Sequence, residues 1–370
     1  MQTSPQNIQS ELRKLKAEQP KLRMRDIAQT LGISEAALVA SACGQGSSTI
    51  RLNQDFAAQF ATLGSLGRVM ALTRNVCAVI EKIGVYGSVE HSAHASQVIG
   101  SDIDLRIFFQ RFHVAFAVTS EGPHGPQRSL QFFDAHGDAV HKIHLLPESV
   151  VAAFDQLTAR FSSPDQSPHQ PRTDTRAATD DRVSQDADTG PSIDVEALRH
   201  AFSQLQDTHE FFGLLRRFQV RRIQALQLLG EEAARPVERL SLRSLLSATA
   251  ESALPIMIFV GNPGMIQIHS GPVKTLKQYG SWFNVMDPDF NLHVHEAAIA
   301  QALVVRKPTS EGVVSSLELY DAAGESVLLA FSKRKHGHSE SDEWRSLLQR
   351  LPSLQSVESS VVQSVPGGVA

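Results

Sequence analysis

The chain has 370 residues, 42% of them hydrophobic, and a formal net charge of −4 with a pI near 6.4. That length can bury two sizeable cores, and the mild acidity offers no general attraction to nucleic acid or anionic lipid. Cys43 and Cys77, without paired spacing, exclude a disulfide framework or a cysteine-based zinc site, and no apolar run is long enough to span a bilayer.

In chain order, the pattern predicts helices at 9–18, 24–31 and 35–41. Strands follow at 69–72, 77–83, 105–108, 114–119, 129–133 and 139–145, and a helix at 147–160 closes the first half. Residues 162–192 read SSPDQSPHQPRTDTRAATDDRVSQDADTGPS, with almost no large apolar side chain. Such a segment cannot offset its ordering entropy by burial and is expected to be a flexible linker. Helices are then predicted at 195–205, 209–229 and 240–249, and strands at 255–260, 265–269, 291–295, 300–306, 315–320 and 327–331. A helix at 341–351 closes the second half, which ends at residue 356 before a tail at 357–370. The first ten residues are polar and lack the apolar stretch of a secretory leader, so a cytoplasmic location is expected.

The two halves, 1–161 and 193–356, are copies. Residues 70–140 lie on 257–327 without a gap at an offset of 187, with 15 identities in 71 columns. Ordinary composition yields roughly 4 or 5. Asn75 falls on Asn262, Gly84 on Gly271, Leu105 on Leu292, and Asp134-Ala135 on Asp321-Ala322. So long a period means two whole units and not a solenoid. Strand runs joined by short turns, with helices at their ends, predict an α+β fold: a tandem duplication of two similar halves, each an antiparallel sheet with flanking helices.

Function is expected where the copies differ. Arg106 in one copy is His293 in the other, and Lys274, Lys277, Arg306, Lys307 and the run Lys333-Arg334-Lys335 have no basic counterparts. An uneven basic cluster in an acidic protein points to a small anionic ligand. The segment from Asp207, DTHEFFGLLRRFQVRRIQALQLLG, has a capping residue, a helical apolar stripe, His209 beside Phe211 and Phe212, and four arginines. A first-turn histidine is more often a plain surface residue. Imidazole beside aromatics and guanidinium groups is nevertheless the chemistry haem requires: a nitrogen ligand for iron, apolar walls for the ring, cations for two propionates.

These stretches carry a resemblance. DTHEFFGLLRRF, GPVKTLKQYGSWFNVMDPDFNLHVHE, VVRKPTSEGVVSSLELYD and FSKRKHGHSESDEW, with LGRVMALTRNVCAVIEKIGVY and IDLRIFF in the first half, resemble the cytoplasmic haem-binding and haem-degrading proteins of bacterial haem uptake, the HemS/ChuS/PhuS-type family. The resemblance covers nearly all of the chain outside the linker and tail, and it implies a tandem α+β duplication. It implies that His209 is the axial ligand of haem iron and that Arg106 approaches the opposite haem face as a distal, catalytic group. Arg222, Lys307 and Arg334 match positions that line the pocket or hold propionates. Phe331 stands where some members carry a tyrosine, and Ile80 where some carry a histidine. A pocket between the halves, holding one main haem site, is therefore expected.

The function so implied is that of a haem (hemin) binding protein of an iron-acquisition system, which receives imported haem and degrades it or delivers it for degradation. The alternative is a non-enzymatic chaperone that passes haem to a separate haem oxygenase, with a secondary DNA-binding role. Expected partners are haem, an inner-membrane haem ABC transporter, and a haem oxygenase or reductase, since no dinucleotide fingerprint follows any strand. Residues 22–40 have a helix–glycine–helix look, but the acidic balance favours a plain helical pair, so nucleic acid is not an expected partner. His293 and His295 share a strand face without a third ligand at metal spacing, and His336-Gly337-His338 reads as a solvated turn.

Overall fold

The computed structural model describes residues 4–44, 48–92, 95–122, 125–169, 193–333 and 338–354. The first half opens with α1 (Pro5–Glu18), α2 (Met24–Thr30), α3 (Glu35–Ala40), β1 (Thr49–Leu52) and α4 (Phe56–Thr62). Strands β2 (Val69–Arg74), β3 (Ala78–Gly84), β4 (Val89–His91), β5 (Ser96–Val98) and β6 (Asp104–Ile107) follow. The long β7 (Val114–Gly122), β8 (Gly125–Phe133) and β9 (Ala139–Leu145) then lead to α5 (Val151–Phe161). The second half repeats the order: α6 (Val195–Ser203), α7 (Glu210–Arg217), α8 (Arg222–Leu229), β10 (Ala234–Val237) and α9 (Ser241–Ser252). Next come β11 (Ile256–Asn262), β12 (Met265–Gly271), β13 (Leu276–Tyr279), β14 (Trp282–Asp287) and β15 (Phe290–His295). It closes with β16 (Gln301–Thr309), β17 (Gly312–Tyr320), β18 (Ser326–Ser332) and α10 (Asp342–Arg350).

Among the described residues the strands form two antiparallel sheets, and neither belongs to one half. The first runs β1-β7-β8-β9-β2-β3-β15-β14-β13, the second β10-β16-β17-β18-β11-β12-β6-β5-β4. Each half therefore lends its β4–β6 or β13–β15 unit to the other's sheet, through the pairs β3–β15 and β12–β6. The chain leaves its own sheet at Gly84, where a Cβ would stand 2.3 Å from the Cβ of Asp102, so only glycine fits.

The duplication extends to irregularities. Bulges fall between Phe132 and Phe133 in one copy and between Leu319 and Tyr320 in the other, positions 187 apart. The turn glycines Gly137 and Gly324 match, with φ of 80° and 76°.

Alternation decides which face is buried. Inner faces of the two sheets pack on each other: Ala78, Ile80, Val285 and Leu292 from the first meet Ile256, Ile258, Val260 and Leu317 from the second. Ile80, buried completely in that layer, is closed to any ligand. On the outer faces, α3 packs against Phe116 and Phe133, and α6–α8 cover Leu303, Val305 and Tyr320. Because α3 is buried over nearly its whole length, the helical pair at 22–40 has no recognition helix to offer a DNA groove.

Three expectations need correction. The helix expected at 209–229 is two helices, broken at Gln219, whose φ of 50° is left-handed and cannot continue a helix. An amphipathic stripe runs through such a break undisturbed, so periodicity hides it. Residues 162–169 are ordered along β1: Arg51 donates from its Nη2 to the carbonyls of Ser167 and His169, both at 2.8 Å, and Gln166 exchanges two 2.9 Å bonds with the Arg51 backbone. The rest of the expected linker, 170–192, lies outside the described residues, as does the tail from 355. Finally, β1, β4, β5, β10, β13, β14 and α4 lacked a clear sequence signal because most are short. Among the described residues no helix is long and apolar enough to cross a membrane.

A candidate ligand-binding face

One row of residues crosses the outer face of the second sheet. Register pairs Asp104 with Ile268, Ile268 with Phe259, Phe259 with Leu329, Leu329 with Glu318, and Glu318 with Leu303. Directly opposed residues share a face, as do residues two apart on one strand. Arg106 therefore flanks this row at one end, beside Ile266, and Lys307 flanks it at the other. From β6 to β16 is five strand spacings, roughly 24 Å at about 4.8 Å each. Between these charged ends lie Met257, Phe259, Leu329 and Phe331, apolar yet only half-buried. Phe259 and Phe331 meet edge-to-face at 5.2 Å.

Arg106 is 31% exposed, and its guanidinium donates to Asp104 Oδ1 at 2.5 Å and to the Leu105 carbonyl at 3.1 Å. Burial raises the Asp104 carboxyl pKa, and Arg106 pulls it back down. The arginine expected from the first half thus stands in the second half's sheet. First-half Arg106 and second-half Arg222 and Lys307 therefore belong to one composite sheet and the helices on it.

His209 is the N-cap of α7. Its backbone N–H and its Nδ1 both meet Asp207 Oδ1, at 2.7 and 2.5 Å. With Nδ1–H donated to that carboxylate, the Nε2 lone pair points elsewhere, and the side chain is 86% exposed. Glu210 closes the turn by accepting from the backbone N–H of Gln206 at 2.8 Å. Phe211 and Phe212 continue from His209 toward the sheet. Phe211 is buried and lies under both Arg222 (5.1 Å) and Lys307 (5.5 Å), whereas Phe212 is 56% exposed with Arg222 5.9 Å from its ring. Lys307 also sits 5.8 Å from the Phe331 ring.

Glu318 organises the cationic end. Fully buried, it accepts from Arg222 Nη2 (2.6 Å) and Nε (2.8 Å), Lys307 Nζ (2.9 Å), Ser316 Oγ (3.0 Å) and Tyr320 Oη (2.5 Å). Burial alone would raise its pKa, but Arg222 and then Lys307 hold it far below the usual carboxylate range. Burial pushes Lys307 down to about 8, with Arg222 adding to the effect and Glu318 resisting it. Burial also disfavours the Arg222 charge, yet Glu318 keeps its pKa above the ordinary value. Sequence reasoning missed Glu318, Tyr320 and Asp104, and read Asp207 only as a candidate helix cap, the place that His209 takes. A carboxylate inside the apolar run LELY was the available signal.

The remaining candidates divide plainly. Arg222, Lys307 and Phe331 come together, with His209 on the helix next to them and Arg106 across the apolar floor; Arg334 lies outside the described residues. His293 and His295 sit on the other sheet. His293 Nδ1 is 2.7 Å from Asn284 Oδ1, and His295 stacks on Trp282 at 4.9 Å. Among the described residues no group of three or more potential ligands could hold a metal ion. His336 and Gly337 are outside the described residues.

With this face in view, comparison defines the class. The haemin-degrading HemS.ChuX domain matches twice, at residues 32–161 and 219–351, and the chain belongs to that family. Among its relatives is the hemin transport protein HmuS of Yersinia pestis, 37% identical over 91% of this chain and 94% of that one. The structure resembles holo-PhuS, a heme-binding protein from Pseudomonas aeruginosa, with a TM-score of 0.86 and 42% identity, over 95% of this chain and 100% of that one. It also resembles the heme-degrading enzyme ChuS of Escherichia coli, with a TM-score of 0.85 and 30% identity, over 94% and 99%.

Proposed function

We propose that this protein binds haem on the outer face of its second sheet and handles it within a hemin-uptake system. Its relatives are a hemin transport protein, a heme-binding protein and a heme-degrading enzyme. One observation carries the assignment of residues: a half-exposed apolar floor joins Arg106 to the Arg222–Lys307 pair, with His209 presented from the helix beside that pair.

The donor set fits an iron porphyrin. His209 would hold the iron: its Nδ1 meets Asp207 Oδ1, which leaves Nε2 as the nitrogen free to serve as ligand. Phe259, Phe331 and Phe212 supply apolar surface for the macrocycle. Arg222 and Lys307 receive propionate charge. Arg106 supplies guanidinium donors on the opposite haem face, held by Asp104. The haem itself supplies any oxidation chemistry, and the protein supplies ligand, polarity and access.

Replacing His209 with alanine is expected to shift the Soret band and weaken haem binding roughly tenfold or more. An unchanged spectrum and affinity would remove His209 from the site. Imported haem is then degraded here or handed on, and incubation of the haem-bound protein with an electron donor and catalase separates the two. Soret loss with a defined tetrapyrrole product means degradation; stable haem that transfers rapidly to a haem oxygenase means delivery.

A further inference from the structure

We infer that Glu318 sets the number of ligand carboxylates taken at the cationic end of this face to one. The site then selects tetrapyrroles with a free carboxylate at one edge and does not require a second. This inference rests on the face being a tetrapyrrole site.

The charge count is the starting point. Arg222 and Lys307 bring two positive charges into a buried cluster, and Glu318 brings one negative charge. Five donors converge on Glu318, which uses up the roughly four lone-pair sites of a carboxylate. It has no second set of partners to move to and stays as a permanent counter-ion. The cluster therefore carries a net charge of about +1 where the dielectric is low, and a buried unbalanced charge draws a counter-ion strongly.

The donors are also unevenly spent. Among the described residues Lys307 donates one hydrogen bond, to Glu318, and Arg222 donates through Nε and Nη2. The second Nη2 proton, both Nη1 protons and two ammonium protons remain, so a first carboxylate finds donors in place, and charge, not donor supply, sets the limit. Once it arrives the cluster is neutral, and a second carboxylate would gain no Coulomb attraction while facing Glu318. The corresponding position of the first half, 187 residues earlier, is the uncharged Gln131. The internal carboxylate thus belongs to this half alone.

The test titrates the full-length chain with metal-free protoporphyrin, its monomethyl ester and its dimethyl ester, following porphyrin absorbance. Without iron, axial ligation makes no contribution, so the ester series does not depend on the His209 assignment. In the wild-type chain the monoester is expected to bind within about threefold of the diacid, because the porphyrin turns its remaining carboxylate to the cluster. The diester is expected to bind at least about tenfold more weakly, the usual worth of a charge-assisted hydrogen bond. In Glu318→Gln the diacid should gain about a tenfold preference over the monoester, since a second carboxylate is now balanced. A second tenfold step between wild-type diacid and monoester overturns the inference, as does an unmoved ratio in a Glu318→Gln variant with wild-type circular dichroism. Should that variant fail to fold, the wild-type ester series still decides. If none of the three porphyrins binds while hemin does, the inference alone falls; if hemin also fails to bind, the tetrapyrrole reading falls with it.

Discussion

Asn75 and Asn262 clasp the two halves by exchanging the same bonds in opposite directions. Asn75 Nδ2 donates to the carbonyls of Gly261 (3.1 Å) and Val327 (2.8 Å), and Asn262 Nδ2 donates to those of Arg74 and Val140, both at 2.9 Å. Each Oδ1 accepts two N–H groups of its own turn, from Cys77 and Ala78 or from Gly264 and Met265. All four hydrogen-bonding sites of each amide are used.

Substituting alanine for either asparagine leaves two carbonyls and two amides without partners. Each single change is expected to cost about 1–3 kcal/mol in urea unfolding, by nearly equal amounts. The double change should fall short of their sum, because both amides brace one junction. Strict additivity, or a difference above about 1 kcal/mol between the singles, would break the clasp interpretation.

The matching asparagines were legible in the sequence; the exchange they stabilise was not. Alternation identified β2, β3, β11 and β12 because one face of each is buried, but period-two pattern reports burial and says nothing about which sheet a strand joins. Gly84 and Gly271 mark the crossing points, yet a glycine at a strand end equally predicts a simple turn. At the site, His209, Arg222 and Lys307 stood out as cations and imidazole beside aromatics. Glu318 did not, because a buried carboxylate acquires its meaning only from the two cations that α8 and β16 bring to it.

One haem per chain is expected, and the pseudo-equivalent face shows why. Glu35 stands 187 residues before Arg222, so an anion replaces the cation, and it pairs with Arg74 and Lys142. The row Ile268–Phe259–Leu329 becomes Glu81–Leu72–Lys142, and His144 replaces Phe331. Charged groups stand where a macrocycle needs apolar contact. Titration with hemin should saturate at one equivalent, and a second equivalent bound with comparable affinity would refute this reading of the first sheet.

Acid should destabilise the fold before its carboxylates protonate. Burial pushes His141 down to about 3, with His144 adding to the effect, and burial together with Lys82 pushes His269 down to about 3. His141 is bonded to Thr73 and Tyr86, and the buried His269 ring lies flat on Phe290 at 3.6 Å. Both stay neutral in the fold but protonate near 6.5 when unfolded, so their contribution is complete above that pH and is lost as pH falls toward 3. Each adds a slope of up to about 1.4 kcal/mol per pH unit. Urea midpoints at pH 7.5, 5.5 and 4.5 should fall steadily, and His269→Phe should flatten the trend. A flat profile down to pH 4.5 would contradict the burial of these rings.

Ligand affinity should weaken on the alkaline side through Lys307. Burial holds this ammonium at about 8, whereas Glu318 remains ionised, Arg222 remains charged and burial keeps Tyr320 protonated well above 10. Among the groups packed around it, Lys307 is therefore the one that changes charge between pH 7 and 9.5. A bound carboxylate favours the protonated amine, so the free protein must take up a proton to bind above pH 8. Affinity for metal-free protoporphyrin is expected to be level near pH 7 and to fall by up to about tenfold per unit above 8. Metal-free ligand keeps iron-bound hydroxide out of the measurement. Lys307→Arg, charged throughout, should remove the slope while retaining affinity, and Lys307→Met should remove the slope with affinity already low at pH 7. A slope that survives in both variants would place the titrating group elsewhere.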